Sequence, residues 1–124
     1  AIKYANERVV FDRPIGQNQG IQFPIADAYI KLQSSDLMVR KATAMFEAGL
    51  RCGAEANCGK YLSAEALWAC AEACFTTHGG FAFAKEYDVE RKWREARLSR
   101  NAPISPNMIM NFIGQHVLGM PRSY

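Results

Sequence analysis

Apolar and small residues recur in alternating steps of three and four across residues 25–46. Ile25, Ala28, Leu32, Ser35, Val39, Ala42 and Phe46 form one row. That spacing keeps a single stripe of an α-helix turned toward a neighbour. A second row, Ile30, Leu37, Met38 and Met45, widens the face. The pattern predicts a helix from residue 19 or 23 to residue 50, which at 1.5 Å per residue spans roughly 40–50 Å. Pro24 falls near its start, either within the first turn, where its missing N–H costs little, or as a kink. Gly49 and Gly53 are candidate terminators. A further stripe of Ser63, Leu67, Cys70, Cys74 and Thr77 predicts a helix over residues 54–77. Its small side chains admit a close neighbour, and Gly79 is placed as its left-handed C-terminal residue.

Residues 1–11 read as the end of a helix, and Pro14 and Gly16 break the pattern into a loop over residues 12–18. Asp88 stands where it could cap a short helix over residues 89–98. Ser105 followed by Pro106 is a start signal, an N-cap residue before a proline at the first helical position. The last helix then buries Ile109, Phe112, Ile113 and Val117, and Gly119 and Pro121 stop it. No segment reads as a strand and no internal repeat is present. The expected fold is all-α, an antiparallel helical bundle forming one domain over residues 1–124.

Composition narrows the function classes. The chain has 124 residues and a net charge of +3, which suits an anionic ligand. No basic stretch interleaved with aromatics argues for nucleic acid, and no apolar run is long enough to cross a bilayer. Cys52, Cys58, Cys70 and Cys74 all fall in helical pattern, where buried free thiols are common. A reducing compartment is expected, the cytoplasm or a mitochondrial matrix. Cys70, Cys74 and His78 share one helix face at i, i+4 and i+8. They span roughly 12 Å end to end, too far for one ion. A di-iron bundle needs Glu-x-x-His pairs, which neither His78 nor His116 completes. No metal is expected.

Two segments carry a resemblance: YANERVVFDRPIGQNQGIQF, residues 4–23, and FTTHGGFAFAKEYDVERKWREAR, residues 75–97. They resemble the YA.ER..F..PI...Q..QF and Q..GG.G...EY.VER..RDAR patterns of the acyl-CoA dehydrogenases, in their C-terminal helical domain. The resemblance covers essentially the whole chain. Enzymes of that family are several times longer, so the chain is expected to be the C-terminal part of a longer flavoenzyme. The resemblance implies FAD as cofactor and an acyl-CoA thioester as substrate. It implies removal of an α-proton with β-hydride transfer to the flavin, and an electron-transfer flavoprotein or similar acceptor. It also implies a homodimer or homotetramer that binds flavin between subunits. An acyl-CoA oxidase or flavin-dependent monooxygenase on the same scaffold is the first alternative. A non-catalytic helical association module is the second.

The resemblance assigns roles residue by residue. Arg8 matches an Arg that contacts the flavin pyrophosphate of a neighbouring subunit, and a guanidinium suits that task because its fork fits phosphate oxygens. The alternative for Arg8 is a surface ion pair with Glu7 or Asp12. Phe11 would pack near the cofactor, or else belong to the core. Gln19 would supply amide hydrogen bonds. Gly79 and Gly80 would let backbone approach the adenosine side, although such a pair is also an ordinary cap and turn. Thr76 stands where the family has Gln, and Ala82 where it has a third Gly. The charged segment Glu86, Tyr87, Glu90, Arg91, Arg94, Glu95 and Arg97 reads mainly as an ion-pair network that fixes the last loop, and less as an acyl-CoA phosphate site. Pro103 occupies the position of the family's usual catalytic Glu, and proline cannot act as a base. Some family members carry the base on the preceding long helix instead. Ser105 and Asn107 match residues that touch the flavin adenine region, and helix capping explains Ser105 equally well.

Overall fold

The computed structural model of the protein describes residues 1–123. Helix α1 (Ile2–Glu7) is followed by a ribbon of two-residue strands, β1 (Val9–Val10) and β2 (Arg13–Pro14), and a 3-10 turn (Ile15–Gln17). Two long helices then dominate, α2 (Gln19–Glu47) and α3 (Gly53–His78). Short 3-10 turns (Gly79–Phe83 and Lys85–Tyr87) lead into α4 (Val89–Ser99). The chain closes with α5 (Pro106–Phe112) and a π-turn (Ile113–Val117).

The long helices run antiparallel. An added Cβ at Gly59 would stand 3.3 Å from Cγ2 of Val39, and Cys70 Sγ lies 3.9 Å from the Ala28 carbonyl oxygen. Small side chains make this approach possible: Ala28, Ser35, Gly59, Ala66 and Ala73 are buried. Ser35 satisfies its hydroxyl locally by donating to the Leu32 carbonyl at 2.9 Å. Helix α4 packs on the other side of α3. Lys60 Nζ donates to the Ser99 carbonyl at 2.7 Å, and Arg100 pairs with Glu65 at 2.8 Å.

The all-α bundle stands as expected, with several corrections in detail. Helix α1 ends at Glu7 rather than residue 11, because the chain turns out at Arg8 into an extended conformation and folds back as the ribbon. Pro24 is the sixth residue of α2, so it lies beyond the first turn, and the helix continues through it. Gly49 terminates α2 at φ +70, with Leu50 N–H reaching back to the Met45 carbonyl at 2.9 Å. Gly53 instead opens α3. Gly79 has positive φ, but its ψ of −132° lies outside the left-handed helical region. Val117 is exposed rather than buried. The predicted α2 stripe is only half covered. Ala28 and Ser35 are buried and Ile25, Met38, Ala42 and Met45 are half-buried, while Leu32, Val39, Phe46, Ile30 and Leu37 keep much of their surface exposed. The periodicity is real, but α3 is the main neighbour and shields a narrow strip along the helix, leaving the flanks of the face open.

Candidate functional site

The C-terminal ends of α1 and α3 meet, and their meeting makes the site. Arg8 closes α1 with its backbone fixed on both sides. Its N–H donates to the Tyr4 carbonyl at 2.9 Å, and its carbonyl accepts from Ile15 N–H at 2.9 Å. The loop beyond is held close: a Cβ on Gly16 would stand 3.0 Å from the Ala5 carbonyl oxygen. Gln22 braces the same loop by donating to the Gly16 carbonyl at 2.7 Å. At the ribbon's tip, Phe11 and Asp12 have φ of +52° and +62°. Two consecutive left-handed residues are the type I′ hairpin arrangement, usually made with Asn-Gly. The Phe11 side chain is 94% exposed there.

Helix α3 contributes its last turn and the bend after it. Thr77 is buried and donates to the Ala73 carbonyl at 2.6 Å. His78 is also buried, with Nδ1 2.8 Å from the Cys74 carbonyl oxygen. A carbonyl only accepts, so Nδ1 carries the proton. Gly79, at φ +56°, then turns the chain. Aromatic rings join the two ends. Tyr4 stacks on His78 at 4.2 Å between centroids, and Tyr87 meets both rings edge-on. Phe81 lies against Tyr87 at 5.8 Å, and the Arg8 guanidinium stands 5.3 Å from the centre of the Phe81 ring.

These residues line an open cleft of about 470 Å³ in which Tyr4, Arg8, Thr76, His78, Gly79, Gly80 and Phe81 take part, and no carboxylate does. Arg8 forms no ion pair among the described residues, which removes its alternative pairing with Glu7 or Asp12. A Cβ added at Gly79 or Gly80 would meet nothing within 4 Å. The backbone there is open to close approach by a ligand. An unpaired cation beside bare backbone, with no competing acid, is a fit for an anionic group such as a phosphate.

Of the residues singled out from the sequence, the cleft brings together Arg8, Thr76, Gly79 and Gly80. Phe11 projects from the hairpin tip outside the cleft lining, and its exposure removes the core alternative. Gln19 is the first residue of α2 and is exposed. Ser105 accepts from Met108 N–H at 3.4 Å as the α5 cap, and Asn107 is exposed on the same helix, outside the cleft lining. Pro103 lies in the exposed turn between α4 and α5. The sequence reading missed Tyr4, His78 and Phe81. The available signal was their adjacency to motif residues, since Tyr4 precedes Arg8 by one helical turn and His78 and Phe81 flank the Gly pair.

The charged segment is structural, as expected, but its pairs lie within α4 rather than fixing a loop. Arg94 pairs with Glu90 at 2.9 Å and Arg91 with Glu95 at 2.6 Å. Asp88 makes no side-chain cap to the helix. Its carboxylate is engaged by Arg91 instead, which lowers its pKa. Arg97 sits over Trp68 at 5.4 Å, and Trp93 donates to Glu72 at 2.7 Å. Burial raises the Cys70 thiol pKa, with Cys74 adding to the effect, which is the opposite of the shift that activates a thiol.

Three comparisons bear on this geometry. The family model described as "Acyl-CoA dehydrogenase, C-terminal domain" matches residues 1–118. The acyl-CoA dehydrogenase FadE12 of Mycobacterium tuberculosis is 40% identical over 126 residues, covering 100% of this chain and 32% of the relative. The chain thus spans about a third of the length of the curated relatives it matches. Among solved structures, the glutaryl-CoA dehydrogenase complex with glutaryl-CoA superposes with a TM-score of 0.90 at 31% identity, covering 98% of this chain and 31% of the other. The FAD complex of PigA superposes with a TM-score of 0.91 at 25% identity, covering 96% and 31%.

Proposed function

Because the chain belongs to the acyl-CoA dehydrogenase family, in the part that matches its C-terminal domain, we propose that it is the flavin-contacting helical domain of a longer FAD-dependent dehydrogenase acting on an acyl-CoA thioester. The observation that carries this reading is the cleft between α1 and α3. It offers an unpaired guanidinium beside open Gly79–Gly80 backbone and contains no carboxylate. Those are the features a pyrophosphate requires, since fixed donors and a cation stabilise its charge and an acid would repel it. FAD, when bound, supplies the hydride acceptor for oxidation at the β-carbon of the thioester.

This chain's own residues hold and orient. Arg8 binds a phosphate oxygen through its fork, and Gly79 and Gly80 admit the adenosine side against their backbone. Thr76 adds a hydroxyl at the cleft edge. Phe11 reaches outward from the hairpin tip to cover cofactor lying across a subunit boundary. Gln19, Ser105 and Asn107 complete the contacts from the starts of α2 and α5. The chain provides no proton acceptor at the family's usual position, because Pro103 stands there, and the base belongs to another segment of the longer protein. Electrons then leave to an electron-transfer flavoprotein or similar acceptor. No helix among the described residues is long and apolar enough to cross a membrane; the proposed site of action is the cytoplasm, or the mitochondrial matrix in a eukaryote.

The experiment is an anaerobic titration of the purified full-length protein with acyl-CoA thioesters of several chain lengths. The protein should carry the yellow flavin band, and at least one thioester should bleach it. A colourless protein that takes up no added FAD would overturn the reading. The 124-residue chain by itself, assayed with added FAD and an artificial electron acceptor, should show no thioester-dependent reduction above background.

The proposal includes self-association. Phe23, Ile30, Leu37 and Phe46 of α2 are 60–74% exposed, and apolar side chains repeated along one helix favour burial against another surface. Light scattering of the chain at micromolar concentration should find a dimer or larger species. A monomer throughout a dilution series would count against a domain built to assemble.

A further inference from the structure

His78 holds the two halves of the cleft together, and nothing in the motif comparison assigns it a role. It is the last residue of α3 and directly precedes Gly79. Its ring is buried, 8% exposed. Nδ1–H donates to the Cys74 carbonyl at 2.8 Å, one turn back on its own helix. One face stacks on Tyr4 at 4.2 Å and 24°, and Tyr87 meets it at 5.4 Å and 63°. Tyr4 in turn accepts the Arg8 N–H through its carbonyl at 2.9 Å. From the other direction, Tyr87 touches Phe81, and Phe81 lies under the Arg8 guanidinium. The contacts close a circuit: His78, Tyr4, Arg8, Phe81, Tyr87 and back to His78. One arm fixes the Arg8 backbone and the other its side chain.

We propose that His78 is a positioning residue for anion binding, locking α1 to the end of α3 so that Arg8 stands at a set place over Phe81 in the cleft that the Gly79–Gly80 backbone also lines. This rests on the reading of the cleft as the phosphate end of an FAD site. The physical case is that Arg8 is exposed and has no carboxylate to orient it. An Arg side chain left free loses rotamer entropy when it binds. The circuit removes part of that cost beforehand by restricting where the guanidinium can go. His78 suits the role because its ring supplies a flat stacking face and a donor for the last turn of α3 together. Phenylalanine keeps the first and loses the second. Alanine loses both.

The test is a double-mutant cycle on FAD dissociation constants in the full-length protein, flavin removed and re-added. His78→Ala should weaken FAD binding by about tenfold. His78→Phe should recover most of that loss, to within about threefold of wild type, because the Tyr4 stack survives. In an Arg8→Ala background, His78→Ala should cause no further weakening, because it acts through Arg8. Circular dichroism checks that each variant is folded; should His78→Ala not fold, His78→Leu, which keeps the volume but loses the flat face and the donor, takes its place in both backgrounds with the same expected loss of about tenfold. If His78→Ala weakens binding by the same factor with and without Arg8, the residue is only structural and the inference is overturned. If Arg8→Ala itself leaves FAD binding unchanged, the phosphate-site reading fails as well, so the two failures are distinguishable.

Discussion

Replacing Phe11-Asp12 by Asn-Gly should stabilise the protein and weaken its hold on FAD at the same time. Both residues sit at positive φ in the hairpin tip. A left-handed conformation costs an ordinary residue roughly 1–2 kcal/mol, and Phe has no local hydrogen bond to offset it as Asp has. Asn-Gly is the pair that this turn favours. The exchange removes an exposed ring, not a packed one, so little native contact is lost. The expected gain is about 1–3 kcal/mol, which for a domain of this size raises the unfolding midpoint by several degrees. FAD affinity should fall by about tenfold through loss of the aromatic contact. Calorimetry on the flavin-free protein and FAD titration of the same two samples give both numbers. A midpoint that stays or drops would mean that the tip is not strained. An unchanged FAD affinity would mean that Phe11 is not a cofactor contact.

Strain kept at an exposed aromatic is a reason to suspect function, and it was invisible in the sequence. Nothing in Val9-Val10-Phe11-Asp12-Arg13-Pro14 carries the Asn-Gly signal of a two-residue hairpin, so the segment read as helix end and loop. What the sequence did disclose was local. The three–four periodicity of α2, the Gly49 stop and the Ser105–Pro106 start each depend on residues within a few turns, and each is present. Burial was harder to read. The row from Ile25 to Phe46 is a genuine face, yet how much of it is covered depends on which neighbours pack there, and α3 buries only Ala28 and Ser35 fully. The cleft was half legible. Arg8, Gly79 and Gly80 were legible through the resemblance to the family's motifs. Tyr4, His78 and Phe81 were not, because their contacts join opposite ends of the chain and stacking geometry leaves no fixed spacing. Asp88 shows the converse error. It occupies the cap position, but Arg91, one turn away, competes for its carboxylate and wins.

The account stands on Arg8 as the phosphate ligand of a flavin site. Its guanidinium is exposed, without an ion pair among the described residues, and lies at the mouth of a cleft free of carboxylates. A charge-assisted hydrogen bond contributes about 1.5–3 kcal/mol, so Arg8→Ala should weaken FAD binding by roughly ten- to a hundredfold. Arg8→Lys should recover only part, because the ammonium keeps the charge and loses the fork. Arg40→Ala is the control. Arg40 lies in the C-terminal third of α2 and pairs with Asp36 at 2.6 Å on the exposed surface, so its loss should leave FAD affinity unchanged. The decisive measurement is therefore the FAD dissociation constant of full-length wild type and these three variants, taken side by side at one ionic strength. The expected order is wild type and Arg40→Ala tightest, Arg8→Lys intermediate and Arg8→Ala weakest, whereas an Arg8→Ala protein that binds FAD as tightly as wild type would contradict the account.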